Sequence, residues 1–233
     1  MKFEKIPTLV VLCILPILVA LGFWQLDRAE QKRAFFARQQ QGMAAPVVQL
    51  TALTPEDKDT LRYKSAVAIG HYDSAHQILL DNQMAGGKAG YFVLTPFILD
   101  DGNKAVLVNR GWIQANQDRK ILPDITIQKN RTQITGRINH FPSVGIKLAG
   151  ADRPSEGWPT VVQVADSVIL SAKFGYPVFS FMIELDKQAP EGYRREWREI
   201  AVMPPEQHVA YAVQWFGLAI ALALMFVWFS RVK

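Results

Sequence analysis

The chain has 233 residues, of which 49% are hydrophobic, and a formal net charge of +5. The residues before Asp27 and after Gln207 hold four Lys/Arg and one Glu, while the middle region holds 22 Lys/Arg against 20 Asp/Glu. A nucleic-acid-binding surface needs clustered basic residues, and this nearly balanced middle region does not indicate one. Cys13 is the sole cysteine, so an intrachain disulfide and a cysteine-rich metal site are excluded.

An apolar run from Ile6 to Trp24 predicts a transmembrane helix over residues 6–26, because a span needs roughly 20 mostly apolar residues. A cleavable signal peptide is the alternative, since basic residues precede the run and Ala20-Leu21-Gly22 is a weak cleavage motif. We favour a retained anchor, because the run is longer than a usual signal core and an ordered Trp-Gln-x-x-Arg sequence follows it. No transit-peptide pattern precedes the run, which favours a bacterial inner membrane over an organelle.

A polar segment follows the first apolar run. Residues 27–45 are strongly charged and favour a helix, and Gly42 and Pro46 indicate where that helix ends. We therefore expect this segment to continue the first helix out of the membrane as a polar stem.

The residues from 46 to 206 alternate short apolar runs with turn residues, which predicts a β-rich domain with an antiparallel sandwich or barrel. A hairpin is predicted at Asp100-Asp101-Gly102-Asn103, because Gly and Asn tolerate positive φ. One internal helix is predicted over Ala165–Phe174, followed by Gly175 as a stop signal. The predicted strands are Val67–Tyr72, Gln77–Leu80, Tyr91–Leu99, Ala105–Ile113, Ile125–Ile127, Thr132–Ile138, Val161–Val164, Val178–Leu185 and Glu199–Met203, with loops over Met84–Lys88 and His140–Pro159.

A second apolar run, Val209–Phe229, predicts a transmembrane helix over residues 208–229, with Gln214 as its one strongly polar member. If both helices span a membrane, the end of the first and the start of the second share one membrane face. Lys and Arg flank both helices on both sides, so charge alone does not decide which side holds the middle region.

The middle region offers few candidates for chemistry. Nucleophile-elbow, zinc-protease, phosphate-loop and dinucleotide-binding motifs are absent, and we predict no enzymatic activity. His71, Asp73 and His76 lie near one another on adjacent predicted strands, where a metal site is an open alternative to ordinary surface histidines. Two interpretations are open for the segment Asn109-Arg110-Gly111-Trp112. In the first, it binds an anionic group or a partner surface. In the second, it is structural, with the arginine paired to a carboxylate and the tryptophan in the core.

The start of the second apolar helix is the stronger candidate. Helical spacing places four of its residues on one face, namely His208, Tyr211, Ala212 and Trp215. Trp24 and Arg28 likewise share a face at the end of the first. A histidine entering a span is typical of a functional position, and imidazole is a good ligand for haem iron, whose propionate an arginine can pair. An ordinary interfacial belt with a basic flank is the alternative for the aromatic residues and Arg28.

Five short motifs follow in order along the chain. They are Leu21-Gly22-Phe23-Trp24-Gln25-Leu26-Asp27-Arg28, Gly70-His71-Tyr72-Asp73, Gly90-Tyr91-Phe92-Val93-Leu94-Thr95-Pro96, Val106-Leu107-Val108-Asn109-Arg110-Gly111-Trp112 and His208-x-x-Tyr211-Ala212-x-x-Trp215. Together with the two terminal apolar runs, they resemble the surfeit locus protein 1 family of cytochrome oxidase assembly factors. The resemblance covers both ends of the chain and much of the first half of the domain, and little of residues 140–200.

This resemblance implies a bacterial inner-membrane protein with two spans, both termini in the cytoplasm and the main domain in the periplasm. It implies a role in assembling haem–copper oxidases, in which haem a is bound and inserted into, or protected within, oxidase subunit I. Haem A synthase is a further expected partner. A haem-free scaffold for an oxidase subunit is the alternative.

His208 matches the position of the family's proposed haem ligand, and four residues are expected beside it in the cofactor site: Tyr211, Trp215, Trp24 and Arg28. The roles of Trp24 and Arg28 are our inference from their match to the first-span motif. Glu206-Gln207 differs from the Asn-rich lead-in that the family shows at this place.

Overall fold

A computed structural model describes residues 5–128, 131–142, 149–197 and 203–232. Within them the helices are α1 (Lys5–Ala44), α2 (Lys58–Leu61), α3 (Ser167–Phe174) and α4 (Pro205–Val232). The strands are β1 (Val48–Leu50), β2 (Ser65–Tyr72), β3 (Ile78–Ala85), β4 (Lys88–Leu99), β5 (Ala105–Gln114), β6 (Arg131–Asn139), β7 (Thr160–Val162) and β8 (Val178–Leu185). The chain divides into a terminal unit, Met1–Arg38 with Arg198–Lys233, and a domain unit, Gln39–Trp197.

The terminal unit contains most of α1 and all of α4. Both helices are long and apolar enough to cross a membrane by length and composition, and only 11% of each apolar window is buried. The prediction that two apolar helices flank a β-rich domain is thus confirmed. α1 continues without interruption through Pro16 and through the charged residues that follow the apolar run.

The two helices of the terminal unit contact each other along a narrow stripe. Gly22 lies against Phe216, and a Cβ added at this glycine would meet the phenyl ring at 2.5 Å. Phe23 packs edge-on against the same ring, with centroids 5.3 Å apart. The absence of a side chain at Gly22 therefore permits the close approach, as small residues commonly do between membrane helices.

The domain unit is built on one eight-stranded mixed sheet, in the order β1-β2-β6-β8-β5-β4-β3-β7. Three of its pairings are parallel, β1 with β2, β3 with β7 and β5 with β8, so the expected purely antiparallel arrangement is wrong. Parallel neighbours need long connections, and an alternating sequence pattern does not reveal which distant strand becomes the partner. β2 also pairs with β4 over three residue pairs, so the strands are not evenly paired into a clear barrel.

Several local predictions for the domain are confirmed. β8 has the predicted bounds, and β4 and β5 form an antiparallel hairpin around residues 100–104. The internal helix is α3: the Asp166 side chain accepts from the N–H groups of Val168 and Ile169, and Gly175 ends the helix at φ 79°. These signals succeed because each cap or turn is local.

Other local predictions differ from the structure. Residues Met84–Lys88 are not a plain loop, because β3 and β4 continue to a two-residue turn at Gly86 and Gly87. Ile125–Ile127 forms no strand, although Ile125 and Ile127 are buried. Most of the predicted strand Glu199–Met203, and residues 143–148 of the predicted loop His140–Pro159, lie outside the described residues.

Among the described residues, the domain core has one large cluster between β2, β4, β5, β6 and β8, a second beneath α3, and a third, smaller one around Leu79 and Tyr91. The large cluster includes Phe97, Phe179 and Phe181, all fully buried. Leu170 of α3 packs into the second cluster with residues of β3, β4, β5 and β8. Burial of such side chains contributes about 1.5–3 kcal/mol each, which makes this core the main source of the domain's stability.

Candidate functional site

A polar pair joins the two helices of the terminal unit. The Nδ1 atom of His208 lies 2.7 Å from the Oε1 atom of Gln25, and the histidine is only 8% exposed. An amide oxygen only accepts hydrogen bonds, so Nδ1 carries the proton and donates it. In the neutral ring, Nε2 is then the atom with the free lone pair, and no hydrogen bond joins it to the described residues. Such a bond fixes the tautomer and the orientation of an imidazole that serves as a metal ligand.

Trp24 and Arg28 form a second, local pair on α1, where both side chains are exposed. The guanidinium carbon of Arg28 lies 5.6 Å from the centre of the Trp24 ring. Arg28 also donates to Gln31 at 2.9 Å, and Gln31 donates to Asp27 at 2.7 Å. Among the described residues, neither Trp24 nor Arg28 has a hydrogen bond or ion pair to His208.

The other predicted residues of α4 divide between two environments. Ala212 is 1% exposed and continues the buried stripe of His208, while Tyr211 is 45% exposed. The indole N–H of Trp215 is buried and has no hydrogen-bond acceptor in the part of the chain that the structure describes. The helical spacing therefore places His208, Ala212 and Trp215 toward the partly buried side, with Tyr211 at its exposed border.

Gln25 is the residue that the sequence analysis did not select as a site residue. It lies three positions after Gly22 and four before Ala29, both of which are buried. This spacing puts the three on one helix face. The sequence did contain a signal for this residue: Gln25 is a polar side chain on the same face of an apolar helix as Gly22 and Ala29.

The histidines of the domain unit do not build a metal centre. His71 is exposed, while His76 donates from Nδ1 to Asp73 at 2.7 Å and Tyr176 donates to the same carboxylate at 2.8 Å. Among the described residues, no group of three or more His, Cys, Asp or Glu side chains is placed to hold a metal ion. Burial acts to raise the pKa of Asp73, but the hydrogen bonds from His76 and Tyr176 outweigh it and the pKa is lowered.

Arg110 is fully buried, with 1% of its surface exposed. Its guanidinium donates to the carbonyl of Glu191 at 2.6 Å, the Gln77 amide oxygen at 2.8 Å and the carbonyl of Ile125 at 3.0 Å. The carboxylate of Glu191 lies 3.9 Å away. These contacts favour the structural alternative for Arg110.

Trp112 supports the same reading of the Asn109–Trp112 motif. It is 9% exposed, and its indole N–H donates to the carbonyl of Gln83 at 2.8 Å. The motif thus ties β5 to its neighbours. It does not present a free cation to a ligand.

The family model of the SURF1 family matches residues 12–220, which include most of α1, the whole domain unit and the first part of α4. The chain belongs to the SURF1 family. The resemblance drawn from the five motifs is therefore confirmed, and the match extends through the second half of the domain, where those motifs contribute little.

Relatives of this family member occur in bacteria and eukaryotes. A SURF1-like protein of Rickettsia felis is 29% identical over 241 residues, covering 96% of each chain. The cytochrome oxidase assembly protein SHY1 of Saccharomyces cerevisiae is 30% identical over 105 residues, covering 45% of this chain and 26% of that protein. Surfeit locus protein 1 of Gallus gallus is 24% identical over 236 residues, covering 91% of this chain and 70% of that protein.

Proposed function

We propose that this SURF1 family member is an assembly factor for a haem–copper oxidase that binds haem a as cargo and assists its insertion into, or protection within, subunit I. Family membership and the name of the yeast relative support the assembly role. The bond between His208 and Gln25 is the observation that carries the haem part of the proposal. Haem A synthase is a further partner that such a role requires as the source of the cargo.

The residues of the terminal unit fit one ligand for the haem iron and a surrounding binding surface. His208 holds its proton on Nδ1, which leaves Nε2 as the atom that would coordinate iron. Trp24 and Tyr211 supply exposed aromatic surface, and the exposed Arg28 supplies a cation suited to a propionate. Trp215 offers an indole donor in need of an acceptor. Bound haem would contribute the iron that Nε2 ligates.

We further propose that α1 and α4 cross a bacterial inner membrane, with both termini in the cytoplasm and the domain unit in the periplasm. The length and apolar composition of the two helices support two spans. This topology puts His208 and Gln25 near the outer boundary of the membrane, where cargo from a membrane-embedded enzyme can reach them. No catalytic step is assigned to the chain.

The test is to express the full chain in cells that make haem A, purify it in detergent and record reduced pyridine haemochrome spectra. We expect haem a in the wild type, loss of most of it in His208→Ala and retention in His71→Ala, a matched control at an exposed histidine. No haem a in the wild type would end the ligand proposal. Full retention by His208→Ala would move the ligand elsewhere.

The second candidate is a haem-free scaffold that holds an oxidase subunit while it folds. Two features of the domain support this alternative, because neither needs a cofactor. The domain unit forms most of the chain, and its buried Arg110 serves the internal structure. This alternative is supported if the wild type carries no haem a while oxidase assembly still fails in cells that lack the protein.

A further inference from the structure

The indole N–H of Trp215 is a buried hydrogen-bond donor for which the fold supplies no acceptor. Within the described residues, it is the one buried side-chain nitrogen or oxygen atom that lacks a partner. Such a group is costly, and in a native structure it calls for an explanation, of which a bound ligand is one. The residue as a whole is only partly buried, so part of the indole ring lies at the surface of the helix pair. A ligand lying against α4 is therefore a source of the missing acceptor.

Trp215 lies on the same strip of α4 as His208. The two residues are seven positions apart in the helix. Seven residues make nearly two turns, which returns the side chain to the same side of the helix about 10.5 Å further along its axis. The apolar run of α4 begins directly after His208, so Trp215 lies on the apolar side of the histidine. The indole donor is thus deeper among apolar residues than the imidazole.

Arg28 lies on the other side of the histidine. Two contacts fix the relative direction of the helices: Gln25 meets His208, while Gly22, earlier in α1, meets Phe216, later in α4. The helices are therefore antiparallel, and α1 leaves its apolar run where α4 enters its own. Arg28 follows Gln25 by three residues, which places it about 4.5 Å further from the apolar run. Along the helix axis, the order is thus cation, imidazole and indole donor.

This order matches the order of the groups on haem a. Haem a has two propionates on one edge of the macrocycle, the iron at the centre, and a hydroxyethylfarnesyl chain on the side away from the propionates. Haem o has the same chain without the formyl group of haem a, whereas haem b has a vinyl group there, which accepts no ordinary hydrogen bond. With the propionates toward Arg28, the farnesyl chain would follow the apolar run of α4, and burial of apolar surface favours that orientation.

We propose that Trp215 determines which haem the chain accepts, by donating its indole N–H to the hydroxyl oxygen of the hydroxyethylfarnesyl chain. This inference rests on the proposed binding of haem a at His208 and adds a basis for selectivity to it. An indole N–H only donates, and a hydroxyl oxygen accepts. A site built to hydrogen-bond a hydroxyl rejects the analogue that lacks it, because its own buried donor then stays unpaired. Trp215 thus favours haems that carry this chain over haem b.

The test uses the full chain, purified in detergent from cells that make haem b but neither haem o nor haem a. Ferric haem a, haem o and haem b are titrated into the wild type and Trp215→Phe, and binding is followed by absorbance. Trp228→Phe is the matched control, because Trp228 lies on the same helix and is 60% exposed. A second variant carries 3-benzothienylalanine at position 215, which replaces the indole N–H by sulfur and keeps nearly the same ring shape. It separates loss of the donor from loss of packing.

We expect both variants at position 215 to bind haem a and haem o about three- to tenfold more weakly than the wild type does, the effect of one hydrogen bond. Their affinity for haem b should equal that of the wild type, since haem b offers no acceptor to the indole. Trp228→Phe should match the wild type with all three haems. Comparing proteins with one haem cancels the partition of that haem into detergent.

Equal weakening for all three haems would overturn the inference, because the indole would then serve packing alone. Weakening for haem a but not for haem o would also overturn it, since the formyl group would then be the acceptor. Unchanged affinity in both variants at position 215 would overturn this inference and leave haem binding at His208 standing. If the wild type bound none of the three haems, the proposed haem binding would fail and this inference with it.

Discussion

Arg110 in the domain unit and His208 in the terminal unit are both buried, but they use their hydrogen-bonding capacity to different extents. In the domain unit, Arg110 is fully buried and its guanidinium contacts four acceptors or charges, so its bonding capacity is used by the fold. In the terminal unit, His208 makes one hydrogen bond to the described residues, and the indole N–H of Trp215 makes none to them. Polar groups are costly in an apolar setting, and those with unused capacity are the ones available for a ligand. This difference favours a structural role for Arg110 and is the basis on which we propose a functional role for His208.

The largest effect is expected from Arg110→Met, which tests the structural side of this comparison. The change leaves the backbone carbonyls of Glu191 and Ile125 without the donor that Arg110 supplies, removes one of the two donors to the Gln77 amide oxygen, and removes the cation 3.9 Å from the Glu191 carboxylate. We expect the free energy of unfolding of the domain to fall by about 3–5 kcal/mol, as for a broken buried pair. Thermal unfolding of the detergent-solubilised chain, followed by near-UV circular dichroism, measures this loss.

A smaller effect is expected from Gly22→Leu, which tests the contact between α1 and α4. A side chain at this position meets the ring of Phe216, so the two helices must separate or the ring must move. We expect overpacking to cost about 1–3 kcal/mol. Spin labels at Leu26 and Val213, introduced with Cys13 replaced by alanine, should show a longer mean distance. Gly217→Ala is the matched control, because nothing lies within 4 Å of its added Cβ.

The effect of Asp73→Asn depends on pH. Burial opposes the charged form of Asp73, but hydrogen bonds from His76 and Tyr176 outweigh it and lower its pKa in the folded state. A lowered folded pKa contributes stability that is present above the unfolded pKa of about 3.9 and is lost as pH falls through the folded value. We expect the substitution to lower the free energy of unfolding by about 1–2 kcal/mol at pH 7.

Unfolding of wild type and Asp73→Asn at pH 7 and pH 3 measures this dependence. The difference between them should shrink at pH 3, which lies below the unfolded pKa, because part of the stability that the lowered folded pKa contributes has then been lost. A difference that is equal at both pH values would mean that the carboxylate charge plays no part in the contact.

The smallest effect is expected from Arg119→Gln. Arg119 pairs with Asp81 at 2.8 Å and contacts the Tyr91 hydroxyl, but its side chain is 46% exposed. Exposed ion pairs contribute little to stability, so the midpoint of thermal unfolding should barely change. A loss as large as that of Arg110→Met would break the distinction between buried and exposed cations in this domain.

Local signals in the sequence predicted much of the fold. The apolar runs, the hairpin at Asp100–Asn103 and the capped helix α3 each depend on a few consecutive residues, and all are present. The parallel pairings were not predictable, since β5 and β8 are separated by more than 60 residues and neither sequence encodes its partner. β1 was not predicted for a different reason: a strand of three residues is too short to show a periodic pattern.

The sequence indicated which residue of the candidate site could be a ligand, but not which residue it is hydrogen-bonded to. Position at the start of an apolar helix singled out His208, whereas its contact with Gln25 joins residues 183 positions apart. The same limit applies to Arg110: its spacing indicated either a ligand grip or a structural pair, and only the contacts of Gln77 and Glu191 favour the second. Non-local hydrogen bonds decide such alternatives, and they depend on the assembled fold.

The central claim is most directly tested by measuring haem a per chain in Gln25→Leu beside wild type and Arg119→Gln. Gln25 orients His208 without being a ligand, and loss of such a support weakens metal binding about 10–100-fold in other proteins. We predict that Gln25→Leu loses most of its haem a during purification while Arg119→Gln retains the wild-type amount. Equal haem a in all three proteins would contradict the account, because the pairing of His208 would then have no bearing on the cargo.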